Sequence, residues 1–484
     1  MAAKPRFRND AQDAGADTED RSTKHPVDET LPPLKMFTSG LQHVAAMYAG
    51  VVAPPLIVGA AVGLSGTELT FLTGASLFTA GFATFLQTLG VWNIGARLPF
   101  VNGVTFAGVA PMLAIVDTTD DKTDALPIIF GAIIVAGVLG FIAAPYFSKL
   151  VRFFPPVVTG TVITLIGVSL LPVAFGWAQG PNPTAEDYGS TTYLTLAAVT
   201  LAVVLVLRRF TRGFLKQVAV LVGLVIGTLI AIPFGVTDFS PVTEASVVGF
   251  PNPFHFGAPQ FALAAIISMC VVMLVSMTES TADMLALGEI VERPADEKTI
   301  AAGLRADTLG SAISPLFNGF MCSAFAQNIG LVAMTKIRSR FVVACGGGFL
   351  VLMGLSPVAA SLISVVPRPV LGGAGVVLFG SVAASGIQTL VKAGLEKDNN
   401  VLIVAVSLAV GIIPITEPEF YHAFPETAKI ILDSGISTGC VAAVLLNLVF
   451  NHLGRRRDDD EVTAPMEPGE EISETRTAKA AHVH

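Results

Sequence analysis

Glu279 and Asp283 stand four residues apart in the otherwise apolar stretch "MLVSMTESTADMLALGEI" (273–290). That spacing puts both carboxylates on one face of a helix. Acidic groups this far inside an apolar run are expensive, which makes them functional-site candidates by default. Glu279 is nearer the centre of the run; Asp283 is nearer its end, where a structural role competes. Asp307, in "GLRADTLGSAISP", is a third acid, with Arg305 near enough to offer a purely structural ion pair. A second kind of chemistry sits in "AFAQNIGLVAMTKIRSR" (324–340), where the primary amides of Gln327 and Asn328 interrupt an apolar sequence. Amides there suit hydrogen bonding to a ligand or to the backbone of a pocket, with capping and inter-helix contacts as the alternative. Gln42 and His43, in "GLQHVAAMYAG" (40–50), read first as packing or network residues. Phe106 offers a flat face to a ring, but it is one of 31 phenylalanines.

The elements that must position these groups are set by composition. The chain has 484 residues, of which 52% are hydrophobic and only 14% charged, with mean hydropathy +0.68; a soluble domain carries about 25% charged residues. It is a membrane protein by composition. A spanning helix needs about 20 apolar residues, and fourteen such segments centre near Met47, Ala80, Ala110, Ala136, Leu165, Thr200, Leu224, Val272, Thr308, Leu331, Phe349, Phe379, Val406 and Ala442. Charge concentrates in residues 1–36 and 454–484, which read as disordered cytoplasmic tails. No signal-peptide pattern opens the chain. With the N-terminus inside, the inner loops gather Arg97, Lys149, Arg152, Arg208, Arg209, Arg212, Lys216, Arg293, Lys298, Lys336, Arg338, Arg340, Lys392, Lys397 and Arg455 to Arg457. The outer loops hold only Lys122, Arg368 and Lys429. Positive loops stay cytoplasmic, so both termini are expected there. The four cysteines have no metal-ligand spacing and read as packing residues.

The chain also resembles itself. "FPPVVTGTVITLIG" (154–167) aligns with "PRPVLGGAGVVLFG" (367–380), pairing Pro156 with Pro369, Gly160 with Gly373 and Gly167 with Gly380. "VNGVTFAG" (101–108) and "FNGFMCSA" (317–324) share an Asn-Gly pair. Partners lie seven segments apart, an odd number, so the second copy enters the membrane the other way round. Inverted repeats are typical of secondary transporters, whose sites lie where interrupted helices of the two halves meet. The third and tenth segments are such interrupted helices. Each begins with a β-favouring, Gly-marked stretch and continues as a half-helix. The two stretches are expected to pair, because broken backbone at membrane depth must be satisfied internally. Each half-helix then aims its positive end at the protein centre.

"QNIGLVAMTK" (327–336) resembles the signature of the nucleobase–ascorbate transporters: Gln, Glu or Pro, then Asn, any residue, Gly, four variable residues, Thr, and Arg, Lys or Gly. Gln327, Asn328, Gly330, Thr335 and Lys336 fit every specified position. The Gln42-His43 pair, "ESTAD" (279–283) and Asp307 extend the resemblance over all but the tails. It implies an all-α polytopic fold of fourteen transmembrane segments in a 7+7 inverted repeat, with short paired β-strands in segments 3 and 10. It implies a core domain (37–150 and 259–366) and a gate domain (151–258 and 367–453), dimerised through the gate. By the same resemblance Glu279 and Gln327 bond a base, Phe106 stacks on it, Thr105 adds a backbone contact and Asn328 supports the site. Asp307 and His43 belong to a proton-linked network, with Asp283 and Gln42 beside them, while Gly330, Thr335 and Lys336 affect selectivity from beyond the pocket. A xanthine or urate ring shows N–H donors beside carbonyls; a carboxylate accepts from the former, and an amide serves both. Gln at the first signature position is the form associated with such purines. "FVNGVTFAG" departs from the Gln-Gly-Thr-Ser-Phe common in purine carriers, so the resemblance does not fix which base.

The implied activity is proton symport of a purine nucleobase by alternating access in the cytoplasmic (inner) membrane. No nucleotide-binding loop with Lys-Ser or Lys-Thr occurs, so an ion gradient must supply the energy. Protonation of a desolvated carboxylate is the simplest coupling device; sodium is the less favoured ion. No other cofactor, metal or nucleic-acid partner is indicated, and no convergent nucleophile or metal set suggests an enzyme. An anion exchanger of the same fold, or a carrier of uracil, is the alternative.

Overall fold

The computed structural model describes residues 25–64, 66–147, 154–396 and 398–453. Tail residues 1–24 and 454–484, and the loop cations Lys149, Arg152, Lys397 and Arg455 to Arg457, lie outside them. The expected N-terminal tail is shorter than 36 residues among those described. Pro26–Asp28 forms a turn of 3-10 helix with Val27 fully buried, and Asp28 pairs with Arg293 (3.1 Å) and Arg340 (2.7 Å).

The helices relevant to the site are α1 (Pro33–Val62), α2 (Gly66–Leu89), the half-length α3 (Val109–Thr118), α4 (Lys122–Ala143), α5 (Pro156–Gln179), α6 (Thr191–Phe210), α7 (Ala219–Ala231), α8 (Leu263–Ile290), α9 (Glu297–Ile313), the half-length α10 (Ala326–Thr335), α11 (Arg340–Gly354), α12 (Arg368–Val391), α13 (Asp398–Thr416) and α14 (Gly435–Asn447). Local sequence explains many of their ends. Proline opens α1, α5 and α12, where its missing N–H is no loss. Asp121, Ser190 and Asp296 cap α4, α6 and α9 by accepting from backbone N–H groups. All fourteen anticipated segment centres fall in these helices, but not all are spans of 20 residues. Among the described residues nine helices are long and apolar enough to cross a membrane, or ten if α11 and the helix after it, bent by 91°, count as one. α3 and α10 have only 10 residues each, because the chain before each is extended.

Those extended pieces are β1 (Asn102–Val104) and β2 (Cys322–Ala324), paired antiparallel with Gly103 opposite Ser323. Two further backbone bonds lengthen the ladder: Thr105 N–H donates to Met321 (2.9 Å) and Phe325 N–H to Val101 (3.1 Å). Backbone that would otherwise be unsatisfied in an apolar interior is thereby paired. A side chain on Gly103 would collide with the Phe325 ring and Val51. The two Asn-Gly pairs, similar in sequence, are placed differently. Asn102 starts β1, whereas Asn318 lies four residues ahead of β2 in a left-handed turn (φ 64°), its amide donating to Asn252.

α5 and α12, the helices of the longer self-match, have 24 residues each and pack antiparallel along a glycine seam. A Cβ on Gly167 would lie 2.2 Å from the Ala383 nitrogen, and one on Gly386 would lie 2.3 Å from the Thr164 nitrogen. Gly380, which aligns with Gly167, faces open space. Glycine costs a helix about 1 kcal/mol relative to alanine, so it is kept at the seam for close approach. Gly167→Leu should therefore sharply lower the yield of monodisperse protein in size-exclusion chromatography, while Gly380→Ala should match or exceed the wild-type melting temperature.

Candidate functional site

The end of β1 and the end of β2 bring the two half-helices toward one another, and α8 passes beside both. Between them is a cavity of about 220 Å³. Glu279 and Asp283 line it from α8, Gln327 from the first turn of α10, and Thr105 and Phe106 from the turn after β1. The opposite wall is hydroxyl-bearing: Thr159 from α5, and Ser381, Ser385 and Thr389 from α12. No Lys or Arg lines it among the described residues. A cavity of similar size, about 240 Å³, lies between α2 and the segment around Gly249 and Pro357, but it holds no titratable side chain.

The two amides have separate tasks. Neither caps α10, whose preceding residue Phe325 makes no side-chain cap bond. Gln327 is exposed to the cavity. Asn328 is buried at 1% exposure and bonds through its carbonyl oxygen to Nδ1 of His43 on α1; its Nδ2 has no partner among the described residues. Phe106 meets Phe379 of α12 edge to face, centroids 5.8 Å apart. Thr105 accepts from the Ala107 N–H, which starts the turn carrying Phe106.

Asp307 is not in the cavity and does not pair with Arg305, which bonds instead to the carbonyl of Asn93. Its Oδ1 accepts from Gln87 Nε2 on α2 (2.8 Å) and from Asn102 Nδ2 on β1 (2.5 Å). Gln87 is oriented by the Ala96 N–H, which donates to its carbonyl oxygen (2.8 Å). Ser280 of α8 faces the same carboxyl group. One turn along α9, the Ser311 hydroxyl accepts from Cys322 N–H of β2 (2.9 Å). Asp307 and Ser311 thus hold the two strands to one helix. Because Oδ1 already receives two N–H donors, an acid proton on Asp307 has to sit on Oδ2.

His43 and Asp307 therefore occupy two separate clusters, and Gln42, half-buried, lines neither. Gly330, Thr335 and Lys336 lie along α10 away from the cavity. A Cβ on Gly330 would approach Gln217, and the Thr335 hydroxyl donates to Leu331 and accepts from the Ile337 N–H. Lys336 ends the helix in the left-handed region (φ 57°), a conformation glycine adopts without strain. The final signature position, which admits glycine, is thus a helix stop. Sequence reasoning did not single out Gln87, Ser280 or the hydroxyls of α12 as site residues. A lone polar residue on an apolar helix carries no local sign of its partner.

The sequence profile Xan_ur_permease, described as a permease family, matches residues 34–420. The chain is 43% identical over 434 residues to the uric acid permease PucJ of Bacillus subtilis, covering 89% of this chain and 95% of that protein. It is 41% identical to the xanthine permease of the same organism (86% and 94% covered) and 40% identical to the uric acid transporter UacT of Escherichia coli (91% of each). In fold it is similar to the transmembrane domain of the cyanobacterial bicarbonate transporter BicA, with a TM-score of 0.57 over 86% of this chain and all of that one at 17% identity. The chain is thus an integral membrane protein and a permease rather than an enzyme, and it belongs to the family of the nucleobase–ascorbate transporters.

Proposed function

We propose that this protein carries a purine nucleobase, xanthine or urate, across the cytoplasmic membrane by proton symport. The observation that carries the reading is the convergence of Glu279, Gln327 and Phe106 on one cavity. The carboxylate accepts from ring N–H groups, the amide donates to a ring carbonyl and accepts from a second N–H, and the phenyl ring covers the face of the base. Asn328 and His43 hold the start of α10 in place from behind. The similarity to uric acid and xanthine permeases supports the same substrate class. An anion exchanger of this fold would be expected to present cations, and the described lining has none.

Alternating access in this reading is a relative movement of a core (segments 1–4 and 8–11) against a gate (5–7 and 12–14), in a 7+7 inverted arrangement of fourteen segments with dimerisation through the gate. With both termini cytoplasmic, the cavity lies toward the inner half, since it borders the C-terminal half of α12. On the other side the Ser268 hydroxyl of α8 and that of Ser437 on α14 are 3.0 Å apart and buried, joining the two bodies. In a background without the four native cysteines, the pair Ser268→Cys and Ser437→Cys should crosslink on oxidation and stop uptake, and a reductant should restore it.

The acids supply coupling. A carboxylate in a dry site is relieved by taking a proton, and Ser280 links the Asp307 cluster to the helix turn that carries Glu279. Proton entry with the base would make proteoliposome uptake rise as the outside is acidified and would raise external pH as xanthine is added. A protonophore should abolish accumulation and sodium replacement should leave it unchanged; sodium-dependent uptake indifferent to pH would overturn the coupling. Glu279→Gln should lower xanthine uptake at least a hundredfold with normal amounts in the membrane. Full activity in that variant would remove Glu279 from the site.

A further inference from the structure

The hydroxyl wall of the cavity has an uneven supply of protons. Ser381, Ser385 and Thr389 repeat at four-residue intervals along α12 and share one helix face. Ser381 donates to the Leu378 carbonyl (2.7 Å) and Thr389 to the Ser385 carbonyl (3.1 Å). Across the cleft floor, Thr159 donates to the Phe154 carbonyl (3.0 Å). These three hydroxyls have committed their protons to backbone and offer only lone pairs to the cavity. Ser385 is different: it is exposed to the cavity and its hydroxyl donates to no described residue, so its proton is free.

A purine whose six-membered ring is held by Glu279 and Gln327 on one wall turns its five-membered ring toward the other. In urate both nitrogens of that ring carry N–H groups, which the committed hydroxyls can accept; in xanthine one carries N–H and the other is a bare acceptor. At the carbon between those nitrogens xanthine has C–H and urate has C=O, and the nitrogen that is bare in xanthine carries N–H in urate. A carbonyl oxygen buried without a donor is destabilising, whereas a C–H needs none.

We infer that Ser385 is a specificity-determining residue, donating its hydroxyl proton to the oxygen on the five-membered ring of an 8-oxopurine and so setting the preference between urate and xanthine. This rests on the proposed purine transport and adds which residue reads which edge of the base.

The test is paired initial-rate uptake of labelled urate and labelled xanthine by the same proteoliposomes. Ser385→Ala should raise the KM for urate roughly tenfold, the loss of one neutral hydrogen bond, with the KM for xanthine changed less than twofold. Ser385→Thr, which keeps a hydroxyl, should retain the urate preference of the wild type. Xanthine uptake in the same vesicles controls for folding. An unchanged urate-to-xanthine ratio in Ser385→Ala, or equal losses for both bases, would overturn the assignment while leaving purine transport intact. A wild-type protein that moves neither base would instead remove the functional reading beneath it.

Discussion

Backbone hydrogen bonding at the centre of an apolar protein is the constraint on which the rest of this structure depends. Two helices stop halfway, and the chain before each stop has peptide groups with no helical partner. The pairing of Asn102–Val104 with Cys322–Ala324 satisfies them. Asp307 and Ser311, side chains of one helix, then tie both strands down. Without that arrangement there is no reason for Phe106 and Gln327, 221 positions apart in sequence, to share a cavity. A buried carboxylate in such a place carries a desolvation cost of several kcal/mol. Here two amide donors offset it, and hydrogen bonds to a charged group contribute about 1.5–3 kcal/mol each.

The division of labour between adjacent residues follows from the half-helix. At the first turn of α10, Gln327 points to the cavity and Asn328, the next residue, points away to His43 on α1. A helix turn separates successive side chains by about 100°, so neighbours must serve different surroundings. The same geometry on α8 sends Glu279 to the cavity and Ser280 to the Asp307 cluster. One turn of helix therefore touches both the cavity and the strand anchor, and under the proposed symport this turn is the route by which protonation of the acids would reach the strands.

Much of this was legible in the sequence, because it is local. Gly-marked extended stretches preceding short apolar runs announced the strands and half-helices, and the pair Glu279 and Asp283 was placed on one face by spacing alone. What was not legible depended on tertiary partners. Gln87 meets Asp307 from 220 positions away and Asn102 from 205, and nothing near either residue signals it. The Asn-Gly motif misled for a related reason. Its two copies have the same residues but different backbone conformations, since Asn318 ends a 3-10 turn while Asn102 is already in a strand. Gly167 and Gly380 diverge likewise: the alignment pairs them, yet only Gly167 has helix backbone pressed against it.

The most direct measurement is the position of the substrate itself. Electron cryomicroscopy of the protein in lipid nanodiscs with saturating xanthine should show planar density in the cavity, one edge on Glu279 and Gln327 and one face on Phe106. Density bound elsewhere, or a base in this cavity touching neither the carboxylate nor the amide, would contradict the account.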